Sequence, residues 1–250
     1  MGWPKGKKRE GELRKFIVND NFFDKIDTEE SAYMLGFLCA DGYLTKRDHN
    51  QIGVDVDIKD RYILEYFKEF IKYSGAIKHT RKTMVRLKWT SCKHVSMLKS
   101  FGFDTNKSHS LKPILNVIDP SVIHHFVRGY IDGDGCIFMS STGRRSKKKY
   151  LYLSLRSTPA FCHWINSVLP VPINYRYSVT GVLYTKKISS VLTICEWLYK
   201  DANFFLKRKY DAFNDARVDL KSSLIKLDPQ RWETDCKQDN RAAVTTKHED

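Results

Sequence analysis

The apolar positions of this chain fall into two runs of helical spacing, each followed by segments that alternate with period two. The first helix is expected to open at Asp27, with Glu30 three residues on in capping-box position. It continues through Tyr33, Met34, Leu35, Phe37 and Leu38 to Asp41-Gly42. The second opens at Asp119-Pro120, a cap followed by proline at the first helical position, and runs through Val122, Ile123, Phe126, Val127, Tyr130 and Ile131 to Asp134-Gly135. After each helix comes a short strand, a polar turn and a longer strand: 43–45 with 52–58, and 136–139 with 150–156. Val54, Val56 and Ile58 are expected on one face of the first long strand, as Leu151, Leu153 and Leu155 are on the second. Helices at 60–73 and 159–169 follow, then strands around 85–89 and 182–184, then helices at 92–101 and 188–199. The order helix, two strands, helix, two strands, helix is thus used twice, which predicts an α+β, pseudo-two-fold duplicated αββαββα molecule. The divisions expected are a basic N-terminal arm at 1–26, a first unit at 27–115, a second at 116–220 and a polar tail at 221–250.

Composition narrows the partner. Of 250 residues, 43 are Lys or Arg and 29 Asp or Glu, for a net charge of +14, which favours a polyanion. No apolar run reaches the ~20 residues of a membrane span. The basic start lacks the apolar stretch of a secretion signal, so an intracellular protein is expected, with no membrane partner. Six scattered cysteines without a CxxC pair support neither zinc nor a disulfide framework. The arm, with Lys5, Lys7, Lys8 and Arg9, fits contact with phosphates or a minor groove and equally a solvated tail.

The chemistry is carried by Met34-Leu35-Gly36-Phe37-Leu38-Cys39-Ala40-Asp41-Gly42 and Val127-Arg128-Gly129-Tyr130-Ile131-Asp132-Gly133-Asp134-Gly135, which resemble two copies of the LAGLIDADG motif. One Asp-Gly after an apolar helix is commonly a cap and turn; two copies in register, 93 residues apart, are not so easily dismissed. The resemblance spans roughly residues 27 to 215 and is to single-chain, two-motif homing endonucleases. Gly36 with Ala40, and Gly129 with Gly133, put small residues on one helix face, so the two backbones can approach closely at the helix interface. The glycine ending each motif is expected to form a left-handed cap. Asp41 and Asp134 would then meet at helix C-termini, where the macrodipole is already negative. A divalent cation relieves that repulsion, and oxygen ligands suit Mg2+. A calcium hand is rejected for Asp132 onward, because the glutamate position holds Gly143.

The resemblance implies a site-specific double-strand DNA endonuclease that leaves 3′ overhangs and works as a monomer on a long asymmetric target. It implies two or three divalent ions, with Mn2+ or Ca2+ able to substitute for Mg2+ in binding, held by Asp41 and Asp134 and the carbonyls of Ala40 and Gly133. Catalytic lysines are expected near the third helix of each unit, at Lys93 and Lys186, with Lys88 and Lys187 behind them. Cys39 stands where the second copy has Asp132, a position not carried over as a ligand. Saddle-shaped antiparallel sheets would present the DNA-binding residues: Lys46, Arg47, Asn50, Gln51, Arg81, Arg86 and Lys88 from the first unit. From the second come Arg144, Arg145, Lys147, Lys148, Arg156, Arg176 and Tyr177. Asp55 and Asp57 are odd on such a face and are expected to pair with basic neighbours. His124 and His125 are expected to serve packing. Two alternatives share the scaffold: an intron RNA maturase and a non-cleaving DNA-binding regulator.

Overall fold

The computed structural model describes residues 16–45, 51–103, 107–141, 149–177 and 179–227. The first unit holds α1 (Glu29–Asp41), β1 (Gly42–Leu44), β2 (Gln51–Asp57), α2 (Arg61–Phe70), β3 (Lys78–Arg81), β4 (Met84–Thr90) and α3 (Cys92–Ser100). A short α4 (Lys107–Ser110) leads across to the second unit. That unit repeats the order with α5 (Ile123–Asp134), β5 (Cys136–Ser141), β6 (Lys149–Ser157), α6 (Pro159–Val168), β7 (Asn174–Tyr177), β8 (Gly181–Thr185) and α7 (Ile188–Leu198). A long α8 (Lys207–Leu227) follows. The duplicated α+β architecture is therefore present, as two four-stranded antiparallel sheets of matching order, β1-β2-β4-β3 and β5-β6-β8-β7.

α1 is buried along nearly its whole length, from Ser31 to Ala40, and α5 from His125 to Asp132. A helix apolar all round must sit inside, and these two pack on each other at the centre. The sheets bury one face each: Ile52, Val54, Val56, Val85, Leu87 and Trp89 in the first, and Leu151, Leu153, Leu155 and Leu183 in the second. The other faces carry the polar alternates.

Several expectations need correction. The cap of α1 is Thr28, not Asp27: its hydroxyl accepts from Ser31 N at 3.3 Å while the Ser31 hydroxyl accepts from Thr28 N at 3.3 Å. Ser31 thus does what Glu30 was expected to do. The buried trio of β2 is Ile52, Val54 and Val56; Ile58 begins a 3₁₀ turn beyond the strand and is 43% exposed. Asp119 caps a 3₁₀ turn at Pro120–Val122, ahead of α5 proper. Gly42 and Gly135 are extended (φ −68°, ψ 156° and φ −79°, ψ 166°), not left-handed, because the chain runs straight from helix into strand. Their N–H groups still return to Leu38 O and Ile131 O. A Cβ at either glycine would crowd those carbonyls. Residues 16–26, expected within the arm, are partly built into the first unit: Asn19 N donates to Ile71 O at 2.8 Å, and Phe23 and Ile26 are buried. At the other end α8 continues through Leu227, past the expected start of the tail. Among the described residues no helix is long and apolar enough to cross a membrane.

Candidate active site

The site begins with how closely α1 and α5 approach. A Cβ on Gly36 would strike the backbone carbonyl of Phe126, and one on Gly129 would strike that of Tyr33. The contacts are reciprocal, as two-fold packing of equivalent positions requires. One turn further on, the Ala40 methyl fills the space beside Gly133, and the Asp41 carboxyl lies 3.4 Å from where a Gly133 Cβ would be. The two C-terminal ends are thus brought together with their acids side by side.

Both acids resist ionisation. Burial and then the charge of Asp134 push the Asp41 carboxyl up to about 6. Burial likewise raises Asp134. Two ammonium groups oppose this. Lys107 Nζ donates to Ala40 O, and to Leu38 O at 3.2 Å. Lys209 Nζ donates to Ile131 O at 2.6 Å, Asp132 O at 2.7 Å and Gly135 O at 2.7 Å, with Gly133 O at 3.4 Å. Each lysine therefore closes the C-terminal carbonyls of one motif helix, the end where a cation is electrostatically favoured. Burial holds both ammonium groups down to about 8. One unit supplies its lysine from α4, the other from α8.

Asp132 plays a different part from its neighbour two residues on. It is buried, and its Oδ2 accepts from Tyr33 OH at 2.9 Å and Leu206 N at 2.7 Å. Arg128, 1% exposed, donates to Glu29 Oε1 at 2.6 Å, Phe204 O at 2.9 Å and Leu198 O at 2.9 Å. His125 sits against the same guanidinium, 2.5 Å from Nη1, and its ring is kept neutral by burial and that charge. The paired histidines therefore belong to packing within the second unit, with His124 against the Trp197 ring.

Asp134 opens onto a cleft of about 450 Å³, lined also by Lys107, Cys39, Tyr152, Arg156 and Arg176. Arg156 and Arg176 thus share the space of Asp134. Arg176 also lies over the Tyr184 ring, 5.9 Å from its centre, and Tyr177 is 72% exposed at the edge. On the first sheet Gln51, Arg86 and Lys88 line a second groove, and Arg81 is exposed on β3. Asp55 is paired with Arg86 there. The two expected lysines each have a partner, and that of Lys186 is Tyr152, a lining residue of the same cleft. Lys93 is engaged by Asp24 and Asn21, at 2.5 and 2.9 Å. Lys186 stands over the Tyr152 ring at 5.9 Å. The lysines that bear on Asp41 are Lys107 and Lys209, which the motif spacing did not single out. Lys46, Arg47, Asn50, Arg144, Arg145, Lys147 and Lys148 lie outside the described residues, as do residues 1–15 of the arm.

No family model matches the chain. An uncharacterized protein of Methanocaldococcus jannaschii is 25% identical over 145 residues, covering 57% of this chain. The match takes in 53% of that protein, so the chain spans about half the length of the curated relative it matches. Solved structures extend the comparison. The LAGLIDADG meganuclease I-AabMI bound to uncleaved DNA is 16% identical with a TM-score of 0.55, covering 77% of this chain and 91% of that one. The I-LtrWI LAGLIDADG homing endonuclease bound to target DNA is 13% identical with a TM-score of 0.56, covering 78% and 91%. I-SmaMI bound to uncleaved DNA in the presence of calcium ions is 14% identical with a TM-score of 0.54, covering 78% and 91%. Two matching sheets flanking one close-packed pair of motif helices on a single polypeptide give this chain the fold of the LAGLIDADG homing endonucleases, in its single-chain, two-unit form.

Proposed function

We propose that this chain is a site-specific double-strand DNA endonuclease that hydrolyses one phosphodiester on each strand of a long asymmetric target, leaving 3′ extensions, as a monomer. The observation that carries the reading is the meeting of Asp41 and Asp134 at the ends of a helix pair held together by Gly36 and Gly129. Two acids with raised pKa beside a half-buried and a buried lysine are poor structure and good chemistry.

The donor set fits a hard divalent cation. Two carboxylates whose charges oppose each other lie beside the carbonyls of Ala40 and Gly133, all oxygen donors; those carbonyls already accept from Lys107 and Lys209, so a bound cation would share them. Among the described residues no group of three or more His, Cys, Asp or Glu gathers, so water and phosphate would complete the coordination, as suits Mg2+. Such ions, when bound, supply an acidified water and a polarised phosphoryl oxygen. The chain's own residues do the rest. Asp41 and Asp134 hold negative charge at the cleft. Lys107 and Lys209 bring ammonium groups to the helix ends and offset charge that builds on the phosphoryl oxygens. Arg156, Arg176 and Lys88 on the outer sheet faces suit phosphate and base contacts. The shared fold with DNA-bound LAGLIDADG structures supports this reading. Selection of cleaved sites from a duplex library in Mg2+, then cleavage of the selected site by wild type and Asp134→Asn, tests it. Wild type should cut both strands and the variant neither. Equal cutting by both, or binding with no cutting by wild type, defeats the proposal.

A further inference from the structure

On the outer face of the first sheet one arginine is held in a way that its neighbours are not. Arg86 on β4 lies directly across from Asp55 on β2. Its Nε and Nη2 donate to the two Asp55 oxygens, both at 2.6 Å. Asp55 Oδ1 is itself held by Tyr43 OH at 3.0 Å, and the guanidinium carbon sits 5.5 Å from the centre of the Tyr43 ring. Room for that ring comes from Gly53, which pairs with Tyr43: a Cβ at Gly53 would strike it. Three residues on two strands thus fix one side chain on a third.

A pair this exposed, with Arg86 38% and Asp55 26% accessible, adds little to stability. What it adds is direction. A guanidinium is a planar fork of five N–H donors. Asp55 takes the edge formed by Nε and Nη2, and the edge formed by Nη1 and Nη2 remains as a second parallel donor pair. In the major groove, that pair matches the two acceptors that guanine alone sets side by side, O6 and N7. A β-sheet face can reach those edges. Arginine left loose would more readily settle on phosphate; arginine pinned by a carboxylate is directed and pre-organised.

We propose that Arg86 reads a guanine in the major groove of the half-site under the first unit, with Asp55 and Tyr43 as its positioning residues. The inference rests on the DNA-binding reading above and names part of the target. Register places the base. Asp55 follows Val54, which pairs with Gly42, the residue after Asp41. The guanine therefore lies in the inner part of the half-site, near the cleavage centre, whereas Gln51 lies roughly 13 Å further along the strand. Among the described residues the second unit has no such device. With Gly42 aligned on Gly135, Tyr43, Asp55 and Arg86 correspond to Cys136, Arg156 and Val182, and Arg156 pairs across the sheet with Val182. The two inner half-sites should differ at this step.

The test is base preference, which a purely structural ion pair does not control. The wild-type target is selected from a randomised duplex library. Binding is then measured on every single-base variant of it for wild type, Arg86→Ala, Arg86→Lys and Asp55→Asn. Wild type should prefer guanine at one inner position of one half-site. Arg86→Ala should lose about 5- to 100-fold of discrimination at that position and none elsewhere. Arg86→Lys should keep affinity and lose discrimination, since a point charge cannot fork. Asp55→Asn should blur the preference several-fold while leaving Arg86 in place. If Arg86→Ala or Arg86→Lys weakens all variants equally, or if the selected site has no such guanine, the inference fails and the nuclease reading stands. If wild type selects no duplex, the function itself is wrong and this inference falls with it.

Discussion

Removing the charge of Asp41 should make the metal-free protein more stable while abolishing its activity. The folded carboxyl titrates at about 6 against a usual 3.8, with burial the larger cause and Asp134 the second. The folded state therefore holds this proton more tightly than the unfolded chain does. Between about pH 4 and about pH 6 the native state binds more protons, and stability falls as pH rises. At about 1.36 kcal/mol per unit, the ionised form costs about 3 kcal/mol above that window, an order-of-magnitude figure. Asp41→Asn carries no charge at any pH and also relieves Asp134. In chelator at about pH 8, urea unfolding should show the variant more stable by about 2–3 kcal/mol. At about pH 3, where wild type is largely protonated in both states, most of that advantage should be gone. Magnesium should then raise the wild-type midpoint and move the variant less, because ligand that binds only the native state stabilises it. A difference between the two proteins that does not change with pH would refute the reasoning, as would a variant weaker than wild type at about pH 8. The site would then not be held together at an electrostatic cost.

Three further outcomes follow from the same geometry. Lys107→Met and Lys209→Met should each slow cleavage of the selected site by about 10²- to 10³-fold with little change in target affinity, read by single-turnover kinetics against filter binding; an unchanged rate removes that lysine from the chemistry. Glu29→Ala leaves the 1%-exposed Arg128 without its carboxylate and should cost about 3–5 kcal/mol in urea unfolding; much of the loss should return in Glu29→Ala with Arg128→Met, and no return would mean the pair is not coupled. Gly36→Val forces a side chain into the Phe126 carbonyl and should destabilise by at least about 3 kcal/mol; a variant as stable as wild type would show that the helices can part without consequence.

What could be read from the residues alone was whatever has a period or a fixed spacing. The long strands alternate over five or more residues, and the motif helices combine apolar runs with a small residue at fourth-position spacing, so both survive without a structure. Local chemistry was harder. Thr28 was passed over for Asp27 because both are good caps one residue apart, and the choice turns on where the backbone becomes extended. The glycines after the motif aspartates suited left-handed caps; they are extended because a strand starts at once. Lys107 and Lys209 were missed for a plainer reason. They come from α4 and the first turn of α8, helices after the third of each unit that the apolar pattern did not predict, and a lysine in a polar stretch looks solvated. A signal was nevertheless present. Phe103 precedes Lys107 by four residues and Phe205 precedes Lys209 by four, in the same place of each unit. In the first unit the aromatic ring lies beside the ammonium, at 5.1 Å.

The polar contacts across the helix pair explain why the two motifs differ where they do. With Asp41 aligned on Asp134, Glu29, Tyr33, Leu35 and Cys39 correspond to Val122, Phe126, Arg128 and Asp132. Arg128 needs Glu29, and Asp132 needs Tyr33 and Leu206. Both charged residues buried in the second motif helix are answered by a polar residue of the first, and the reverse side of the pseudo-dyad is apolar. Two copies of the second unit would set Arg128 against Val122 and Asp132 against Phe126, burying charges with no partner at a cost of several kcal/mol each. Two copies of the first would leave Glu29 and Tyr33 unanswered. Cys39 is then not a decayed aspartate: an acid there would face Phe126, which has no hydroxyl to give. The same asymmetry that forbids symmetric pairing lets the sheets diverge, with Arg86 pinned in one and Val182 in its place in the other. Unequal halves that recognise only each other are what an asymmetric DNA target requires.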